Sequence, residues 1–366
     1  MAEIENQVGK LRQKRGFSAI QVAALTGISR QTVYAIEAGT YVPNTVVALK
    51  LARALESSVE ELFGLPEEAP APRVETASLL PGDETPQPGQ PLQLCRVDEQ
   101  LVASAPSPVS WYFPPADAVM AGLKEAKPKP VRGRAAVQVF QSSGDFTNRV
   151  LVAGCDPGIS VLARHVQSSG VELVLAHRNS SQALALLQEG SIHIAGTHLH
   201  GGKPGLGTSF ITVSFAVWEE GIVTARGNPK GVRGVEDFAR KDVSIVNREL
   251  GAGCRALLDA QLKKAGIPGA RVRGYERTAP GHLPAAWEVQ AGMGDCCIAT
   301  RAAARAFGLG FVSLVSERYD LVIHKKHLDK PAVQTVLDTL SRASFRRELE
   351  GLGGYDTRGA GAIEKA

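Results

Sequence analysis

Residues 18–39 read SAIQVAALTGISRQTVYAIEAG, and the spacing within that stretch has a mechanical meaning. Ser18 can cap a helix that carries Val22, Ala23 and Leu25. Ala23 is small where two helices must approach closely, and Gly27 stands where a tight turn wants a left-handed backbone. Ser29 then caps a second helix, with Val33 and Ile36 turned inward. Arg30, Gln31, Thr32 and Tyr34 are left facing outward. A helix presented this way fits the major groove, where polar side chains of its first turn reach base edges.

The rest of the chain bounds that reading. Its 366 residues are 44% hydrophobic and 21% charged, enough for two or more cores, and the net charge of +4 permits nucleic-acid binding without requiring it. Residues 1–65 hold seven Lys/Arg against six Asp/Glu, although Lys10, Arg12, Lys14 and Arg15 cluster where phosphates would lie. The N-terminus lacks the apolar stretch of a secretory signal, and no run approaches the roughly eighteen apolar residues of a membrane helix. Five cysteines (Cys95, Cys155, Cys254, Cys296, Cys297) form an odd set without framework spacing. These features predict a cytoplasmic protein in a reducing compartment, with no membrane partner.

Residues 1–65 are dense in helix formers. Residues 66–91, PEEAPAPRVETASLLPGDETPQPGQP, have no apolar period and read as a flexible linker. Residues 92–148 read as a small β-rich connecting segment. From 149 onward, short apolar runs bounded by Gly alternate with amphipathic helices, which predicts a sheet covered on both faces. Several loops there place small or donor-rich residues just before a helix: Asp156-Pro157-Gly158, Asn179-Ser180-Ser181, Asn247 to Arg255, and Ala279-Pro280-Gly281-His282. Helix N-termini offer unpaired N–H groups and a positive dipole end, which suits an anion. Four converging between two lobes would cage a small polar ligand, although each alone reads as an ordinary cap.

Two motifs carry rival chemistry. His193, His198 and His200 fall close together, and HxH spacing can bind a transition metal. The expectation is nevertheless no metal and no cofactor, with adjacent Cys296 and Cys297 as buried structural thiols. Cys155 and Cys254 precede helices, where a thiolate could be stabilised with His282 as a base. No orienting carboxylate or oxyanion hole stands at the needed spacing, so the expectation is not an enzyme.

Residues 6–63 resemble the phage-repressor (Cro/C1-like) helix-turn-helix family, through the small residue, the turn glycine, the inward aliphatics and an E-x-G-x-x-x-P ending. The resemblance implies a double-stranded DNA operator read by Ser29, Arg30, Gln31, Thr32, Tyr34 and Asn44. Ala19 stands where such domains often carry Gln. Single units of this kind usually need two half-sites, which predicts a homodimer. Residues 149–358 resemble the periplasmic-binding-protein-like domain of molybdate-type receptors, in VAGCDPG, NSSQALALLQEGSIHIAGTHL, VNRELGAGCRALLDAQLKKAGI, GHLPAAWEVQAGMGDCCIA, ERYDLVI and GYDT. That likeness implies a two-lobed α/β type II fold behind the all-α bundle, with 359–366 as a tail. Its ligand residues would be Ser180, Ser181, Asn247, Arg248, Gly253, Arg255, His282, Asp295 and Tyr319. Gly-Ala-Gly-Cys-Arg replaces the family's usual Gly-Ser-Gly-Thr-Arg run, so an organic anion competes with molybdate or tungstate as the ligand. The expected whole is a transcriptional regulator that senses a small anionic ligand. The alternative is a cytosolic ligand-binding or enzymatic protein whose helical domain makes protein contacts.

Overall fold

The computed structural model describes residues 5–64, 73–81, 86, 88–105, 115–123, 133–140, 146–198 and 207–364. The chain forms two compact units, Met1–Arg73 and Val74–Ala366.

The first unit holds helices α1 (Val8–Lys14), α2 (Ala19–Thr26), α3 (Arg30–Glu37), α4 (Thr45–Ala54) and α5 (Val59–Leu62), closed by paired strands β1 (Glu5–Asn6) and β2 (Phe63–Gly64). Ser18 caps α2 reciprocally: its Oγ accepts the Gln21 N–H and Gln21 Oε1 accepts the Ser18 N–H. Gly27 ends that helix at φ +69°, and Ser29 accepts the Thr32 N–H to start α3. The core gathers Val8, Val22, Val33, Ile36, Leu51 and Leu55. Leu25, on the same helix, is 61% exposed. The inward stripe of α2 is Ala19, Val22, Ala23 and Thr26, which puts position 25 on the solvent side.

The second unit opens with a closed five-stranded barrel of β3 (Arg73–Leu79), β4 (Pro91–Val97), β5 (Gln100–Ser104), β6 (Ala118–Leu123) and β7 (Arg134–Val139), ordered β3-β5-β4-β6-β7. This corrects two boundaries. The stretch read as a linker contains β3, because Ala77 and Leu79 bury in the barrel core and its partner β5 supplies the backbone hydrogen bonds. The β-rich region is thus a barrel that begins at Arg73, not at 92. It is also fused to the α/β body that comes next in the chain. Leu80, Cys95, Val97 and Val102 share a core with Leu151, Ala153 and Val174. Arg149 pairs with Asp117 at 2.6 Å and donates to the Leu94 carbonyl at 2.9 Å.

Lobe 1 comprises β8 (Arg149–Gly154), α6 (Ile159–Gln167), β9 (Glu172–His177), α7 (Ser180–Gln188) and β10 (Ile194–Thr197), with β8 parallel to both β9 and β10. The chain leaves it on β11 (Phe210–Thr224). Lobe 2 is built from β12 (Ile245–Arg248), α8 (Gly253–Lys264), β13 (Thr278–Ala279), α9 (His282–Gln290), β14 (Cys296–Thr300) and α10 (Arg301–Ala306). The return is β15 (Gly310–His324), antiparallel to β11 along its length with irregularities at Ser214/Ala216 and Glu220/Gly221. Helices α11 (Pro331–Leu340) and α12 (Ala343–Gly351) then cover lobe 1. Strands β16 (Tyr355–Asp356) and β17 (Ile363–Glu364) add to β11, so the segment read as a tail is pinned into the sheet. Cys296 and Cys297 face the two separate cores of lobe 2, as side chains of adjacent strand residues must.

Candidate functional site

In the helical unit Ser29, Arg30, Gln31, Tyr34 and Asn44 are exposed and Thr32 is half-buried. Not all of their atoms are available. Ser29 Oγ holds the Thr32 N–H and Oγ1, the Arg30 guanidinium lies 5.3 Å from the Tyr34 ring centroid, and Asn44 Oδ1 caps α4 through the Val47 N–H. Of the basic cluster, Arg12 is held by Glu37 at 2.5 Å and donates to the Phe17 carbonyl, and Arg15 pairs with Glu56. Lys10 and Lys14 stay exposed.

The second site lies between the lobes, where loops at the ends of β8, β10 and β12 meet the N-termini of α8 and α9. Cys155 Sγ lies 3.8 Å from His198 Nε2 and 3.8 Å from His282 Nε2. On the other side of His282, Cys254 Sγ is 3.6 Å from Nδ1. The Cys254 thiol donates to Glu220 Oε1 at 2.6 Å and accepts from Arg248 Nη1 at 3.4 Å. Arg248 is 1% exposed and makes a bidentate pair with Glu249 at 3.0 and 3.1 Å. Trp218 and Tyr319 wall the cluster: the Trp218 ring lies 4.7 Å from His198 and 5.0 Å from His282, edge-on to both. The Trp218 Nε1–H is buried without an acceptor among the described residues.

Each approach has a cause in the sequence. Gly253 carries no side chain, and a Cβ there would run into the His198 ring. Gly154 and Gly196 make the same room for the Tyr319 ring. His198 is fixed twice: Ser180 Oγ bonds both its backbone groups at 3.1 Å, and its Nδ1 meets Glu317 at 3.1 Å. Burial alone would push His198 down. The hydrogen bonds with Cys155 and Glu317 and the charge of Glu220 outweigh it and raise the ring to about 10, an imidazolium. Burial, then the charges of Arg248 and His198, drive His282 well below its ordinary value, so it is neutral. Burial and Glu220 push the Cys254 thiol far up.

The lobes are latched shut. Asn179 Nδ2 donates to the Leu250 carbonyl at 3.2 Å and Ser181 Oγ to the Gly251 carbonyl at 3.3 Å. A cavity of about 40 Å³ remains, lined by Cys155, His177, Arg178, Asn179, Gln182, Arg248, Glu249, Pro280 and Gly281.

Comparison with known proteins matches residues 8–62 to a helix-turn-helix family and residues 163–341 to the PBP superfamily domain. An uncharacterized HTH-type transcriptional regulator of Bacillus subtilis (strain 168), YgzD, is 42% identical over 65 residues, 18% of this chain and 98% of the relative. The chain belongs to the helix-turn-helix transcriptional regulators. This regulator carries a PBP-like ligand-binding domain behind its DNA-binding one. The uncharacterized protein YvgK of Bacillus subtilis (strain 168) is 29% identical over 238 residues, 62% of this chain and 77% of that one. Among solved structures, the sulfate-binding protein SubI from Mycobacterium tuberculosis H37Rv aligns over 57% of the regulator and 86% of its own chain, with 16% identity and a TM-score of 0.42.

The expected ligand residues of the regulator divide. Arg248, Gly253, His282 and Tyr319 meet in the cluster, Ser180 positions His198, and Ser181 stands in the latch. Three point elsewhere. Asn247 bonds the Arg248 N–H and the Tyr275 carbonyl, and Asp295 is occupied by the Ser244 N–H and hydroxyl. Arg255 stacks over the Tyr275 ring at 4.2 Å and reaches Asp259 and the Arg248 carbonyl. All three make these contacts within lobe 2: Asn247 on β12, Arg255 on α8 and Asp295 just before β14. Site reasoning missed His198, Glu220, Glu317 and Trp218. His198 was visible in the HxH motif but was grouped with His193 and His200 as a metal motif. His193 sits instead beside His327 with its Nδ1 on the Leu151 N–H, and His200 lies outside the described residues.

Proposed function

We propose that this regulator binds a near-palindromic operator as a homodimer in the cytoplasm, and that an anion enclosed between the lobes sets its affinity for that operator. The observation that carries the reading is the cavity: lobe 1 lends it Arg178, Asn179 and Gln182, lobe 2 lends it Arg248 and Gly281, and direct hydrogen bonds latch the lobes over it. The charges of Arg178, whose guanidinium donates to the Pro81 and His177 carbonyls, and of Arg248, paired with Glu249, leave one net positive charge next to the N-terminus of α9, which favours negative charge in the cavity. A small volume favours an inorganic oxyanion of the molybdate or tungstate class over a larger organic acid. A ligand touching both lobes stabilises the closed form only, which is the condition for moving a two-state equilibrium. On the DNA side Arg30, Gln31, Thr32 and Tyr34 are the base-reading set. The cleft is read as a binding site and not a catalytic one, since Cys254 is held as a thiol and not activated as a thiolate.

Fluorescence anisotropy on a fragment from upstream of its own gene, with and without molybdate, tungstate, sulfate or phosphate, tests the reading. The expected result is a change in operator affinity within about 5–150-fold for at least one of them. Unchanged binding with every anion sinks the sensing half, and equal binding to scrambled DNA sinks sequence recognition.

A further inference from the structure

At the Cys155 wall of the cavity, metal-ligating residues from two loops and the N-terminus of α9 converge: Cys155, His198 and His282 each offer a ligand atom within 4.8 Å of the others, and both Nε2 atoms lie 3.8 Å from Cys155 Sγ. Their residues are 6%, 2% and 1% exposed. We propose that Cys155, His198 and His282 bind a soft transition-metal ion of the zinc or cuprous class, independently of the anion that the proposed function assigns to the neighbouring cavity.

The geometry argues for an ion over a plain hydrogen-bond cluster. Metal–sulfur bonds of about 2.3 Å and metal–nitrogen bonds of about 2.0–2.1 Å, at tetrahedral to trigonal angles, place sulfur and nitrogen about 3.5–3.8 Å apart. Both sulfur–nitrogen separations are 3.8 Å. Thiolate with imidazole is the donor set that selects zinc and cuprous ions over hard cations. The supporting shell is also present. Glu317 holds His198 Nδ1 at 3.1 Å and so aims Nε2 at Cys155, the carboxylate–histidine arrangement that orients a metal ligand. Cys254 and Glu220 do not serve one ion together, because the 2.6 Å between Sγ and Oε1 is a hydrogen bond and too short for two ligands of one ion.

Three protein ligands leave a fourth position, and the cavity reaches Cys155. Binding balances simply. The Cys155 thiol and the Nε2–H of His198 each release a proton to solvent, the neutral His282 binds through Nε2, and the ion takes three electron pairs without any change of oxidation state.

The test uses the reduced, metal-free full chain titrated first with Co²⁺ and then with Zn²⁺. One equivalent of Co²⁺ should bring up a thiolate-to-cobalt charge-transfer band and quench tryptophan fluorescence through Trp218, and one equivalent of Zn²⁺ should abolish the band. Cys155→Ser should lose the band, His282→Gln should weaken binding at least about tenfold, and Cys297→Ser should bind as the parent does. No thiolate band in the parent, or an undiminished band in Cys155→Ser, overturns the inference. If Cys155→Ser fails to fold, alkylation of the parent decides: Zn²⁺ should slow modification of Cys155 and not of Cys297, and equal rates with and without Zn²⁺ overturn it. Oxyanions titrated separately into the metal-free chain keep the two readings apart. Cobalt binding without any anion response supports this site and sinks the anion reading, and the converse pattern does the reverse.

Discussion

His193 gives a test whose size is set by its surroundings. The ring is 1% exposed, and its Nδ1 accepts the Leu151 N–H at 3.0 Å, so the proton sits on Nε2 and the ring is neutral. His327 packs edge-on with ring centroids 5.0 Å apart. Burial first, then the charge of His327 and Lys330, holds His193 at about 3. In the unfolded chain the same ring titrates near 6.5. Between those values the unfolded state binds more protons, so this stability is complete above about 6.5 and is lost as the pH falls toward 3. At about pH 5 the gap to the unfolded value is about 1.5, and at about 1.36 kcal/mol for each factor of ten the loss is about 2 kcal/mol. His193→Asn keeps an acceptor for Leu151 and removes the titration. Urea unfolding at about pH 7.5 and about pH 5 should therefore cost the parent about 2 kcal/mol more than the variant on acidification. The comparison cancels His198, whose raised value acts with the opposite sign in both proteins. Parallel pH curves for the two would refute the assignment of a buried neutral ring.

The remaining predictions address other links. Ser18→Ala removes the reciprocal cap of α2 and should cost about 1 kcal/mol, read as a lower melting midpoint of the helical unit with the transition of the larger unit unmoved. Gln31→Ala should reduce discrimination between operator and scrambled DNA by about 1–3 kcal/mol in anisotropy titrations, whereas Lys14→Ala should weaken both equally. Arg149→Ala removes the pairs to Asp117 and Glu172, leaving Asp117 the Leu94 N–H, and should cost about 2–3 kcal/mol in urea unfolding, with faster proteolysis of the barrel. Gly253→Ala forces a carbon into the His198 ring, costing the closed form about 1–3 kcal/mol and so weakening anion binding about 5–150-fold in calorimetry.

Legibility tracked the range over which the causes act. The helix-turn-helix could be read because cap, turn glycine and inward aliphatics fall within 22 residues. The α/β alternation was readable for the same reason. The barrel was not, since β3 buries only Ala77 and Leu79 among polar residues and owes its existence to strands later in the chain. The cluster was half legible. Cys155, Cys254 and His282 each drew notice before a helix, but Cys155 meets His198 and His282 across separations of 43 and 127 residues, and no local spacing encodes that meeting. Asn247, Arg255 and Asp295 were named for their donor and acceptor chemistry, which can be read from a residue's type, whereas the partners they take within lobe 2 depend on packing.

The route of the chain through β11 and β15 has an evolutionary consequence. Lobe 2 is one uninterrupted segment whose entry and exit lie side by side, with Gly221 paired to Ser313 across the two strands. It is therefore exchangeable as a cassette at a single pair of adjacent cut points, leaving the barrel, lobe 1 and the helical unit intact. Arg248, Gly253, Cys254 and His282 would travel with it. A lineage could thus change what this regulator responds to by recombination within one stretch of gene, without altering the operator it reads.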